Sequence, residues 1–127
     1  MRLFLTALAL TVLLTGCDLF GSEPLVVTYA VDATGGHGEV TLTYRDENGL
    51  VTVEDADLPF IREIEIDEPE LGTFYPLEAE SVFTSPGTLT TRIAGRQGGV
   101  PYDSDDVVTY GGDSTQVIRS QTALFYL

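Results

Sequence analysis

One thiol, Cys17, and one imidazole, His37, are the side chains of this 127-residue chain with the widest chemical range. Neither has a companion. Cys17 closes the run Leu14-Thr15-Gly16-Cys17 directly after an apolar stretch from Leu3 to Leu14, and Met1-Arg2 supply a positively charged start. A charged start, a short apolar stretch and small residues at the cleavage point make an export signal. A cysteine standing at that junction predicts lipidation, as in bacterial lipoproteins. The apolar stretch falls short of the roughly 20 residues that a membrane-spanning helix needs, so it reads as a cleaved signal. The expected organisation is a signal peptide over 1–16, a lipidated N-terminus and linker over 17–24, and one domain over 25–127.

His37 lies in Gly35-Gly36-His37-Gly38, a glycine-rich stretch that predicts a loop. General-base work needs a positioned, partly shielded imidazole, so His37 is read as a loop residue and not as a catalytic or metal-binding one. A serine-hydrolase elbow requires Gly-x-Ser-x-Gly, and the nearest run, Gly112-Asp113-Ser114-Thr115-Gln116, lacks the last glycine. The glycine runs Gly35-Gly36-His37-Gly38 and Gly95-Arg96-Gln97-Gly98-Gly99 are not followed by Lys-Ser/Thr, so they are not phosphate loops. No catalytic residue and no cofactor is expected.

Calcium is the one metal that composition leaves open. It takes six to eight oxygens, and Asp103, Asp105 and Asp106 stand close together in what reads as a loop, with Asp113 downstream. Glu54, Asp55 and Asp57 form a second cluster. Neither has EF-hand spacing, and in so acidic a chain such clusters arise from composition alone. They read as solvated loop carboxylates.

The charge is lopsided. Twenty acidic residues stand against six arginines, with no lysine. Arg2 would leave with the signal, so the mature chain would carry five positive and twenty negative charges, a net of 5 − 20 = −15 with histidine neutral. Nucleic-acid phosphates and anionic headgroups repel such a surface, which excludes nucleic acid as a partner and leaves the lipid as the means of membrane attachment. The single cysteine allows no internal disulfide, so packing must hold the domain in an oxidising compartment. A cell-membrane or outer-membrane location follows, with the domain in the periplasm or outside the cell.

These residues sit on a chain that reads as strands throughout. Residues 27–31, 40–45, 51–53, 63–66, 77–83, 89–94 and 116–127 alternate apolar or β-branched residues with polar ones, the strand period. Breaks are expected at Gly35 to Gly38, Leu58-Pro59, Asp67 to Glu70, Ser85-Pro86-Gly87 and from Gly95 to Asp106. Asn48-Gly49 predicts a type I′ hairpin that pairs Tyr44 with Val53 and Arg45 with Thr52. About seven short strands predict an all-β fold, an antiparallel immunoglobulin-like β-sandwich, with a small closed barrel as the alternative.

Val27-Thr28-Tyr29-Ala30-Val31, Val40-Thr41-Leu42-Thr43-Tyr44-Arg45-Asp46-Glu47-Asn48-Gly49, Leu58-Pro59-Phe60 and Leu77-Glu78-Ala79-Glu80 follow one another in the order of a known pattern. The segment over residues 26–83 resembles the periplasmic domain of the mycobacterial small membrane proteins called MmpS. That family has a VTYxV first strand, a VTYTDxxG hairpin and an LPW/F turn. The resemblance implies a non-enzymatic immunoglobulin-like domain of the cell envelope, accessory to lipid or siderophore export. This chain departs from the family in using a lipid where members use a transmembrane helix, and in having Thr91 and no second cysteine where members often carry a disulfide. The functional expectation is a lipid-anchored binding or scaffolding module in an envelope complex, with a small-ligand (lipid or Ca2+) binding lipoprotein as the alternative.

Overall fold

The computed structural model describes residues 23–126, and the expected signal peptide and Cys17 lie outside the described residues. The described residues are all-β, and every strand pairing among them is antiparallel. Its strands are β1 (Leu25–Asp46), β2 (Gly49–Val53), β3 (Phe60–Ile66), β4 (Thr73–Gln97), β5 (Val100–Tyr110) and β6 (Gln116–Tyr126).

Two of these strands are long enough to serve both layers of a sandwich. The first half of β1 pairs with β3 on one side and with the second half of β4 on the other, and β5 continues that layer in the order β3-β1-β4-β5. The second half of β1 pairs with β2 and with the first half of β4, and β6 completes the other layer as β2-β1-β4-β6. Each long strand therefore crosses from one layer to the other.

The crossing happens where breaks were expected. Gly35 to Gly38 and Ser85-Pro86-Gly87 do not end strands; they bend them. The β1/β4 register slips between Gly35 and His37 and again between His37 and Val40, which is how a bulge turns a sheet through a corner. Gly35 sits at φ +84°, opposite Gly87. A side chain on either glycine would run into the partner backbone, so the corner can close only without one.

The two halves of β1 then lie over each other. The Tyr29 hydroxyl, on the first half, donates to the Arg45 carbonyl, on the second, at 2.6 Å. The Tyr29 and Tyr44 rings pack at 5.1 Å between centroids. Alternation sends Leu25, Val27, Tyr29 and Val31 of one layer, and Val40, Leu42, Leu77 and Ala79 of the other, into a shared core.

Two expectations are corrected. Asp46 pairs with Gly49 and Tyr44 with Val51, so the hairpin register is two residues tighter than Tyr44 with Val53. The Asp46 carboxylate accepts the Asn48 N–H at 2.7 Å, and the positive φ falls on Gly49 (129°) alone, so the turn is not type I′. A shift of two keeps every side chain on its expected face. The stretch from Gly95 to Asp106, read as a break, is strand on both sides of a turn at Gly98-Gly99, two glycines with φ of 56° and 81°.

Candidate functional site

β5 and β6 follow each other in sequence but pair with different halves of β4, so their free edges face each other across a seam between the layers. A turn held by the Tyr110 hydroxyl, which donates to the Ser114 carbonyl, joins them at one end. The inward positions of β5 are Tyr102, Ser104, Asp106, Val108 and Tyr110, and those of β6 are Ile118, Ser120, Thr122 and Leu124. Polar residues thus occupy the middle of both strands where apolar ones would serve packing.

They satisfy one another. Thr91 is fully buried, and its hydroxyl lies 2.8 Å from Ser120 Oγ. Ser120 donates in turn to Asp106 Oδ2 at 2.9 Å, and the Gln121 N–H reaches the same oxygen at 3.0 Å. Ser104 and Thr122 bond across the seam as well. Because the carboxylate only accepts, proton order along the chain is fixed: Thr91 donates to Ser120, and Ser120 to Asp106. Among the described residues, every buried side-chain nitrogen and oxygen has a partner.

A shallow groove of about 460 Å³ runs beside this seam, lined by Phe74, Pro76, Glu78, Ser104, Asp106 and Thr122 among others. On the outer face of the second layer, Arg119 sits between Glu78 at 3.0 Å and Glu80 at 2.7 Å. Those two carboxylates hold its guanidinium above the usual arginine range, the Glu80 hydrogen bond being the larger cause.

The carboxylates singled out for calcium are dispersed by the pleat. Asp103, Asp105 and Asp106 lie on β5, not in a loop. Asp103 and Asp105 point outward opposite Ala94 and Arg92, while Asp106 points into the seam. Adjacent strand residues face opposite sides, so Asp105 and Asp106 cannot converge on one ion. Among the described residues no group of three or more His, Cys, Asp or Glu side chains is placed to hold a metal.

His37 lies at the corner, where its Nδ1–H donates to the Gly38 carbonyl at 2.8 Å and its ring stands 6.2 Å from that of Phe83. Phe83 is four positions along β4 from Ala79, the partner of Ser120, so the imidazole and the seam hydroxyls belong to different parts of the molecule. Sequence reasoning missed the seam. The available signal was Ser104 and Asp106 standing at alternate positions between Tyr102 and Val108.

A second feature is the end of the sandwich away from the corner. The described chain begins there: the Gln97 side-chain amide donates to the Glu23 carbonyl at 2.8 Å, and the Tyr126 hydroxyl donates to Gln97 Oε1 at 3.0 Å. The turns between β1 and β2 and between β4 and β5 reach the same end, as does the β3–β4 loop, whose Glu68 and Glu70 line a depression with Arg45 and Asp46. No protein-family model matches this chain, and no curated protein matches it.

Proposed function

We propose that this chain is a lipid-anchored protein of the cell envelope whose sandwich domain acts by binding or scaffolding and not by catalysis. The observation that carries this reading is the run Leu14-Thr15-Gly16-Cys17 closing a short apolar stretch. The strand core begins at Leu25, eight residues beyond Cys17, which leaves a short tether and then a folded body.

The seam supports the non-enzymatic half of the reading. Its hydroxyls are committed to one another and to Asp106, and His37 is engaged with the Gly38 carbonyl elsewhere. Ser120 is fully buried, which leaves its hydroxyl no route to a substrate, and the Asp106 carboxylate it donates to also accepts the Gln121 N–H. The resemblance of residues 26–83 to MmpS domains adds a role beside a membrane transport complex to the proposal.

Mass spectrometry of the mature protein from native membranes tests the anchor. An acylated N-terminal Cys17 is expected, with Cys17→Ser moving the protein into the soluble fraction. A chain that retains Met1 and a free thiol overturns the reading. Crosslinking in intact envelopes tests the scaffold, and reproducible recovery of one membrane complex is the expected result.

A further inference from the structure

Most of the large exposed apolar side chains of the described residues are aliphatic, and the two exposed phenylalanines, Phe74 and Phe125, stand together. Phe74 and Phe125 are cross-strand partners on the outer face of the second layer, with ring centroids 4.9 Å apart. They are 40% and 57% exposed. Leu71, 76% exposed, lies at the same end in the β3–β4 loop, where the next residue, Gly72, donates its N–H to the Tyr126 carbonyl. Val100, 53% exposed, tips the β4–β5 turn at the same end.

This patch adjoins the point where the tether enters. Phe125 precedes Tyr126, Tyr126 bonds Gln97, and Gln97 bonds Glu23. Six residues, 17–22, separate Glu23 from the end of the signal, and they can reach at most about 20 Å. A lipidated Cys17 would therefore hold this end, and not the corner at Gly35 and Gly87, against the bilayer.

We propose that the Phe74–Phe125 face, with Leu71 and Val100, rests in the interfacial region of the membrane and sets the orientation of the domain on its tether. The inference rests on the lipid-anchor reading. Apolar side chains partition into the boundary between headgroups and acyl chains, and a neighbouring anchor removes most of the cost of bringing them there. Glu23, Glu68 and Glu70 at the same end make a zwitterionic surface the preferred one.

The chain contains no tryptophan, so one indole can report position without background. Phe125→Trp places it in the patch, and Val117→Trp places it on the same face of β6 eight positions away, about 26 Å toward the corner. Both sites are exposed, and Phe74→Trp provides a second probe in the patch. The mature acylated protein carrying each variant is reconstituted in phosphatidylcholine vesicles containing brominated acyl chains.

Blue-shifted emission and at least twofold stronger quenching for Phe125→Trp or Phe74→Trp than for Val117→Trp supports the proposal. Loss of that difference on adding anionic lipid supports the role of the three glutamates. Equal quenching at the two ends in protein whose Cys17 is acylated overturns the orientation and leaves the tether intact. An unmodified Cys17 in the same preparation overturns the tether reading, and the orientation with it.

Discussion

Gly35 and Gly87 face each other across the β1/β4 ladder at the corner of the sandwich, so near that a Cβ on Gly35 would lie 2.6 Å from the Gly87 Cα. A Cβ on Gly87 would in turn meet the Thr34 carbonyl oxygen and lie 2.7 Å from Phe83 Cε2. Backbone against backbone leaves nothing that can rotate away. Gly87→Ala is expected to destabilise the fold by about 2 to 3 kcal/mol, because overpacking at a rigid contact forces the strands apart. Gly111→Ala, with nothing within 4 Å and no positive φ, should stay within about 0.5 kcal/mol. Urea midpoints of the two variants decide this, and equal midpoints would remove the corner from the account.

The seam predicts an asymmetry between two hydroxyls that touch. Ser120→Ala removes a donor to Asp106 and an acceptor for the buried Thr91 hydroxyl, so a loss of about 1 to 3 kcal/mol is expected. Thr91→Val leaves the Ser120 hydroxyl free to donate to Asp106 and fills the same volume, so about 1 kcal/mol or less is expected. Chemical denaturation of both single variants and the double variant gives their coupling. If Thr91→Val costs as much as Ser120→Ala, the Thr91 hydroxyl does more than donate to Ser120, and the asymmetry argued from the network is wrong.

Alkaline pH should loosen the domain. Burial raises the Tyr29 phenol well above the ordinary tyrosine value of 10.0, with Tyr75 nearby adding to the rise. Burial likewise raises Tyr75. A phenol whose folded-state pKa is raised gives stability that is complete below the unfolded value and declines as pH climbs from there toward the folded one. Thermal midpoints should therefore fall above about pH 10. Tyr29→Phe should lose about 1 kcal/mol at pH 7, through the missing bond to the Arg45 carbonyl, and show a flatter decline above pH 10. An unchanged alkaline slope in Tyr29→Phe would assign the decline to other groups.

Calcium should find no specific site on β5. Asp103 and Asp105 face solvent while Asp106 is bonded within the seam, so calorimetric titration is expected to stay flat through about 1 mM calcium, the weak end of extracellular calcium modules. A saturable isotherm that Asp105→Asn abolishes would show that β5 rearranges to bind.

Local pattern alone determined that the described chain is built from strands and, outside β5 and β6, which of their side chains face inward. Val27, Tyr29 and Val31 are buried as their alternation requires, and so are Val40, Leu42 and Tyr44. A period of two survives any tertiary arrangement, which is why the hairpin at Asp46 to Gly49 keeps its faces although its register is two residues tighter. The proposal of a terminal export signal closed by Cys17 rests on the sequence alone, on length, charge and residue size, and lies outside the described residues.

Only the tertiary structure decided what the glycines at 35 and 87 do. In sequence each looks like the end of a strand. The requirement that two backbones pass within a Cβ of each other exists only once β1 and β4 are paired, and that pairing joins residues about fifty positions apart. The seam was hidden likewise. Ser104, Asp106, Ser120 and Thr122 look solvated one strand at a time, and become a satisfied internal network only when two layers bring β5 and β6 edge to edge. The closeness of Phe125 to Glu23 also follows from the fold, since it passes through Tyr126 and Gln97 from three separate parts of the chain.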